Sequence, residues 1–236
     1  MKYIFSILFL FITVTASAQK QFVVDPDAEI REISGSFNSI KISSGIHVYI
    51  SKGDTEALAI SASEEKYKAA IKTEIVNNEL RISYSGEKIH FGNNRMSVYV
   101  ACKELAQLHI SGASSVVFEG VMDVPVLNMQ VSGASDVKGA LKVNELNVKL
   151  SGASDMRLSG TAKNVNIESS GASDVKAYEL TAETCNVKVS GASDVNITVS
   201  GELSANATGA SDIHYRGTPQ IKVKQASGAS SIARVG

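Results

Sequence analysis

A six-residue phrase recurs along the second half of this chain and limits its fold more than any other feature. It reads SGASSV from Ser111, SGASDV from Ser132, SGASDM from Ser151, SGASDV from Ser170 and Ser190, TGASDI from Thr208 and SGASSI from Ser227. The central glycines are Gly112, Gly133, Gly152, Gly171, Gly191, Gly209 and Gly228, separated by 21, 19, 19, 20, 18 and 19 residues. A near-constant period of this size marks a solenoid, whose coils cannot bury an apolar side alone and do so by stacking on their neighbours.

Positions counted from each glycine set the register. Two before it stand Ile110, Val131, Leu150, Ser169, Val189, Ala207 and Ala226, and four after it stand Val116, Val137, Met156, Val175, Val195, Ile213 and Ile232. Even offsets are mostly apolar, as a strand with one buried face requires. In the last coil Ile221 and Val223 are apolar instead, which predicts a bulge near Lys224. Each coil is expected to be a strand, a tight glycine turn, a second strand and a looser return, so that two parallel sheets face one another in an all-β, single-domain β-helix. The usual chirality of parallel crossovers favours right-handed winding, with a left-handed hexapeptide-type helix as the alternative that a period near 18 invites.

The first hundred residues are less regular. Lys2, an apolar run from Tyr3 to Val14 and Ala16-Ser17-Ala18 are the parts of a secretory signal peptide, giving residues 1–18 as a leader. The apolar run is too short for a comfortable span, and no cysteine follows the cleavage site to carry a lipid. Residues 19–236 then form the domain, with irregular coils over 34–104 and regular ones over 105–236. Residues 19–32 read as a lead-in strand. Phe37–Ser51 alternates Ile40, Ile42, Ile46, Val48 and Ile50 with polar residues about a turn at Gly45, an older-looking form of the later coil. Ser63–Val76 breaks the strand pattern and is expected to hold one or two helical turns, a short N-terminal helical element packed at an end or flank of the solenoid as a cap. Leu80–Tyr84 and Met96–Ala101 follow as strands, joined by a polar loop over Gly86–Arg95.

Stacking turns each repeated residue into a row. Asp136, Asp155, Asp174, Asp194 and Asp212 stand three after their glycines, so five carboxylates would lie about 4.8 Å apart. Either divalent cations such as calcium offset their repulsion, or backbone N–H groups and the neighbouring row of Lys138, Arg157, Lys176, Asn196 and His214 do so; the local answer is favoured. Asn128, Asn147, Asn166 and Asn186 form a second row able to hydrogen-bond along the axis, beside Gln130, Lys149, Glu168 and Lys188. Cys102 and Cys185 are expected to be buried free thiols about four coils apart, on the order of 19 Å and out of disulfide reach.

No catalytic constellation stands out. Ser211, Asp212 and His214 have the residue types of a triad, yet the serine and aspartate recur in coils without histidine. His47 lies at a turn, His90 in a polar loop and His109 on an outward strand position, with no ligand-spaced cluster and no implied cofactor. Asn196-Ile197-Thr198 and Asn206-Ala207-Thr208 match the glycosylation sequon, which matters only in a host that uses it. A formal charge of −1 gives no steering toward nucleic acid.

FNSIKISSGIHVYIS from Phe37, the patch leading to KTEIVNNELRIS, the recurring SGASDV and the closing YRGTPQIKVKQASGASSI from Tyr215 together resemble a known family, over almost the whole mature chain. It is the family of secreted bacterial auto-transporter adhesins with a head GIN domain, although His47 stands where that name places asparagine. The resemblance implies a β-helix similar in outline to pectin lyases and a role in adhesion. The expectation is therefore a non-catalytic exported protein, periplasmic, displayed or secreted, that meets surface glycans or envelope proteins. No translocator barrel follows residue 236, so display would need another component. The alternative is a carbohydrate-active enzyme of pectin-lyase-like outline.

Overall fold

The computed structural model describes residues 25, 27–86 and 95–236; the leader and most of the loop after Gly86, including His90, lie outside them. The chain is an all-β solenoid of about seven coils.

At the head, β1 (Glu29–Arg31) is followed by β2 (Ser39–Ile42) and β3 (His47–Lys52), the two arms of one coil about the Gly45 turn. Ile40, Ile42, Ile46, Val48 and Ile50 are all buried, as their alternation requires. Next come β4 (Ala57–Ala62), α1 (Glu65–Ala70), β5 (Ile71–Val76), β6 (Glu79–Tyr84), β7 (Met96–Cys102) and β8 (Gln107–Ile110). Their spatial order is not their sequence order. The β2–β3 coil sits between the coil made by β6 and β7 and the one that begins with β8, because β2 pairs with both β6 and β8 and β3 pairs with β7.

The expected helical cap is corrected. Only Glu65–Ala70 is helical, it buries no residue, and the rest of the stretch is strand. The end is closed instead by strands that reverse direction: β4 lies antiparallel on β7, β5 on β6 and β1 on β4. An antiparallel strand satisfies the terminal N–H and C=O groups directly, which a six-residue helix cannot do.

The regular coils are β9 (Ser115–Val131), β10 (Asp136–Leu150), β11 (Asp155–Ser169), β12 (Asp174–Val189) and β13 (Asp194–Gly209), paired in parallel. They contain no loose return and no pair of separate sheets. Each strand runs nearly a full circuit, and its hydrogen bonds belong to one continuous sheet. The return positions are core as well, with Met122, Val124, Leu141, Val143, Leu180 and Ala182 buried. From each return to the next inward run the buried residues step by three rather than two: Val124 to Leu127, Val143 to Leu146, Ala162 to Val165 and Ala182 to Cys185. That step bends the strand without ending it. Differences in coil length are absorbed mainly at the preceding corner, where pairing shifts register between Lys138 and Ala140, Arg157 and Ser159, and Ala177 and Thr181, with one further shift between Ala182 and Thr184.

At the tail lie β14 (Asp212–Arg216), β15 (Gln220–Gly228) and β16 (Ser231–Arg234). The expected bulge is present but falls at Lys222: Leu203 pairs with Ile221 and Ser204 with Val223. Among the described residues no strand covers β15 or β16, and all nine residues of β15 are exposed.

Candidate functional site

The chemistry of this surface begins at the repeated turn. Ala153 N–H donates to Gly133 O at 2.8 Å, and the same bond recurs from Ala172, Ala192, Ala210 and Ala229 to the glycine one coil before. Stacking this close leaves no room for a side chain. A Cβ on Gly152, whose φ is +82°, would stand 2.4 Å from Gly133 O. The head turn differs. Ile42 pairs with Ile110 and His47 with Ser115, so Ser44 occupies the glycine position and Gly45 aligns with Ala113. Gly45 has φ +72°, and its missing Cβ would meet nothing nearer than 3.9 Å.

The second serine of the motif is a structural element that hydrophobic patterning passes over. Ser114, Ser135, Ser154, Ser173, Ser193 and Ser211 are buried. In Ser114 and Ser135 the hydroxyl donates to the carbonyl three residues back at 2.8 Å, closing the turn. The same oxygen accepts a backbone N–H from the previous coil, as Ser173 Oγ does from Ser154 N–H at 3.4 Å and Ser193 Oγ from Ser173 N–H at 3.2 Å. This column of hydroxyls holds the corner together from inside.

The aspartates point the other way. Asp136, Asp155, Asp174, Asp194 and Asp212 pair in unbroken register, one per coil, between Ser115 and Ser231. Asp194 Oδ1 accepts the N–H of Asp212 at 3.3 Å, and Asp212 Oδ1 accepts the N–H of Ser231 at 3.0 Å. Lys176 reaches Asp174 at 3.5 Å, and Lys138, Arg157, Lys176, Asn196 and His214 form the adjoining row. Carboxylates strung one per coil do not converge: among the described residues no three His, Cys, Asp or Glu side chains are grouped to hold a metal ion.

The broad face opposite this row is amide-lined. Asn128, Asn147, Asn166 and Asn186 stack in register. Asn147 Nδ2 donates to Asn128 Oδ1 at 3.0 Å, and Asn166 Nδ2 donates to Asn147 Oδ1 at 2.8 Å. Beside them Lys149 pairs with Glu168 at 3.2 Å. These bonds fix the side chains in single orientations. Both N–H groups of Asn147 are used, because its Nδ2 also donates to Glu145 Oε1 at 2.8 Å, whereas Asn128, which donates to Ala106 O at 3.2 Å, and Asn166 each keep a second N–H to point outward.

Ser211, Asp212 and His214 do not form a triad. Ser211 is buried and donates to Gly191 O at 3.2 Å, whereas Asp212 and His214 share the outer face. Adjacent strand residues point to opposite sides, so the motif itself keeps serine and aspartate apart. His47 Nδ1 meets Ser115 Oγ at 2.5 Å on the surface, and His109 stands 3.8 Å from Glu79, which is itself held by Arg81 at 2.9 Å. A groove of about 440 Å³ is lined by Asp123, Pro125, Lys142, Asn144, Thr161 and Lys163. Its one close charge contact is Lys142 to Asp123 at 2.8 Å, which raises the lysine above its usual range. Neither a histidine nor a pair of carboxylates lines it.

Cys102 and Cys185 are buried free thiols. They lie on β7 and β12, five strands apart in stacking order rather than four, because β3 intervenes. Burial pushes the thiols up, to about 11 for Cys102 and about 12 for Cys185.

The family model described as "Putative auto-transporter adhesin, head GIN domain" matches residues 36–219. Among solved structures, a putative adhesin from Bacteroides fragilis NCTC 9343 superposes with a TM-score of 0.82 at 22% identity, covering 88% of this chain and 96% of that one. A putative adhesin from Parabacteroides merdae ATCC 43184 gives 0.70 at 17%, covering 90% and 98%. A protein from Parabacteroides distasonis ATCC 8503, called a putative lipid binding protein, gives 0.67 at 20%, also covering 90% and 98%. At these identities the likeness shows a shared fold. No curated protein matches the sequence.

Proposed function

The chain belongs to the family of auto-transporter adhesins with a head GIN domain, and from that membership we propose that it is an exported, non-catalytic solenoid that binds surface partners through its row-lined faces. The observation that carries this is the asparagine row, hydrogen-bonded at 3.0 and 2.8 Å and flanked by Gln130, Lys149, Glu168 and Lys188. Oriented amides repeated at about 4.8 Å offer a pre-organised donor and acceptor array, and hydroxyl-rich glycans or polar envelope proteins are the chemistry that such an array recognises. Each contact is weak, and repetition along the coils adds them. The aspartate row has a structural role in this account. Asp194 and Asp212 accept backbone N–H groups, Lys176 lies against Asp174 and a basic row adjoins the rest, which supports stacking without a cation.

A glycan array and whole-cell binding assay on the purified protein test the first claim. Retention on a defined set of glycans or envelope fractions, lowered about tenfold by Asn147→Leu with Asn166→Leu, is expected. Unchanged retention in that variant, or turnover of a uronate polymer abolished by one substitution, contradicts it. For the aspartate row, the melting temperature should be the same in chelator and in millimolar calcium. A calcium-dependent rise would make it a cation site.

A further inference from the structure

The two ends of the solenoid terminate the same two strand columns. One column runs from β1 through β4, β7, β3 and the regular coils to β16, and the other runs from β5 through β6, β2 and β8 to β15. Each end strand has one partner among the described residues: β1 pairs β4, β5 pairs β6, β15 pairs β13 and β16 pairs β14. The two ends differ in net charge, although β5 by itself carries Lys72 with Glu74 and is balanced. The head segment 25–32 carries Asp25, Asp27, Glu29 and Glu32 against Arg31. Arg31 is occupied within the head, donating to Ile71 O at 2.7 Å and Lys68 O at 3.0 Å; Glu29 lies 3.7 Å from Lys68, and on the tail Lys222 lies 3.2 Å from Glu202. The tail from 210 onward carries Arg216, Lys222, Lys224 and Arg234 against Asp212. Both ends also expose apolar side chains, Ile30 at 73% on the head and Ile221 and Val223 at 39% and 42% on the tail.

We propose that the head of one copy docks on the tail of a second copy by strand addition, β1 onto β16 and β5 onto β15, extending both columns across the junction. Tail on tail would oppose like charges, and head on head likewise. Edge lysines deter strands in general, yet the net positive charge of the tail attracts the acidic head, so the charge that guards the tail also selects its partner. The two surfaces differ, so the contact is heterologous and does not close on a dimer; it builds a linear array. An array would multiply the number of binding faces presented together.

Sedimentation velocity on the purified protein at about 50 mM and about 500 mM salt tests this, because edge charges are screened at the higher value. Concentration-dependent oligomers that weaken in high salt are expected. Lys222→Glu with Lys224→Glu should lower association about tenfold or more, as should Asp27→Lys with Glu29→Lys. Mixing these two variants should restore it, since the basic head of one then meets the acidic tail of the other, end charge against end charge. As a readout independent of those variants, Ile30→Cys chains mixed with Ala233→Cys chains should form a disulfide between copies. A monomer at both salt concentrations, association indifferent to the charge reversals, or variants that stay apart when mixed would overturn the proposal, and so would the absence of the Ile30–Ala233 cross-link.

Discussion

The head turn and the repeated turns perform one task with different residues. In the regular coils Gly-Ala carbonyls and amides stack at 2.8 Å and a buried serine fills the inside of the corner. At the head, Ser43-Ser44-Gly45-Ile46 has two consecutive residues at positive φ, 73° and 72°, and Ile46 occupies the inner position. Aligned through Ile42 and His47, that position is where Ser114 stands one coil on. Glycine is required in the repeats by the neighbouring turn, whereas Gly45 answers only to its own dihedral angles. A repeat in sequence therefore records contact between coils.

The largest effect should follow from breaking that contact. Gly152→Ala places a Cβ 2.4 Å from Gly133 O in a left-handed residue, and we expect a loss of about 3–4 kcal/mol in denaturant unfolding. Gly45→Ala meets no neighbour within 3.9 Å and should lose only about 1–2 kcal/mol, the cost of the left-handed conformation. Equal losses would mean that the two turns are not built differently.

The serine column sharpens the same contrast. Ser173→Ala removes a hydroxyl that bonds Ser170 O at 3.2 Å and Gly152 O at 3.3 Å and accepts Ser154 N–H, and should cost about 1–3 kcal/mol. Ser169 sits in the row of Val131, Leu150 and Val189 with a buried hydroxyl that has no partner. Ser169→Ala should be neutral or stabilising by about 1 kcal/mol, and a loss as large as that of Ser173→Ala would contradict the assignment. Asn166→Leu, which gives up the bond to Asn147 at 2.8 Å, should cost about 1 kcal/mol or less.

The smallest effect concerns the two thiols. Burial raises Cys102 from 9.0 to about 11 and Cys185 to about 12. Folding thus favours the protonated thiol, so this contribution is fully present below about pH 9 and is lost as pH rises through about 11 to 12. Neutral-pH alkylation of the native protein should label neither cysteine, and unfolding should expose both. Rapid native labelling of Cys185 would mean that the coil around it opens.

Much of the fold could be read from the glycine spacing and the even offsets, because stacking repeats one environment at fixed intervals. The order of the head coils could not, since β2–β3 and β6–β7 carry similar alternation and nothing local states which coil neighbours which. The return strands were hidden by phase. A coil of 19 residues cannot hold a two-residue period all the way round, and the slip between Val143 and Leu146 makes buried residues look irregular. The inner serines had a signal: Ser135 and Ser154 stand two after their glycines, with the parity of the buried Val137 and Met156. The aspartate and asparagine rows were legible as rows, while the bonds that Asp194 and Asp212 make to the next coil depend on coil-to-coil height.

The central claim is that sequence position becomes height along an axis, one coil at a time. Spin labels placed at Ser115 and, in turn, at Asp155, Asp174, Asp194, Asp212 and Ser231 measure that height directly by dipolar spectroscopy in a variant lacking Cys102 and Cys185. The stacking order β9, β10, β11, β12, β13, β14, β16 predicts separations that rise in even steps of about 4.8 Å per coil. A series that levels off, or that places Ser231 nearer to Ser115 than Asp174 is, would contradict the account.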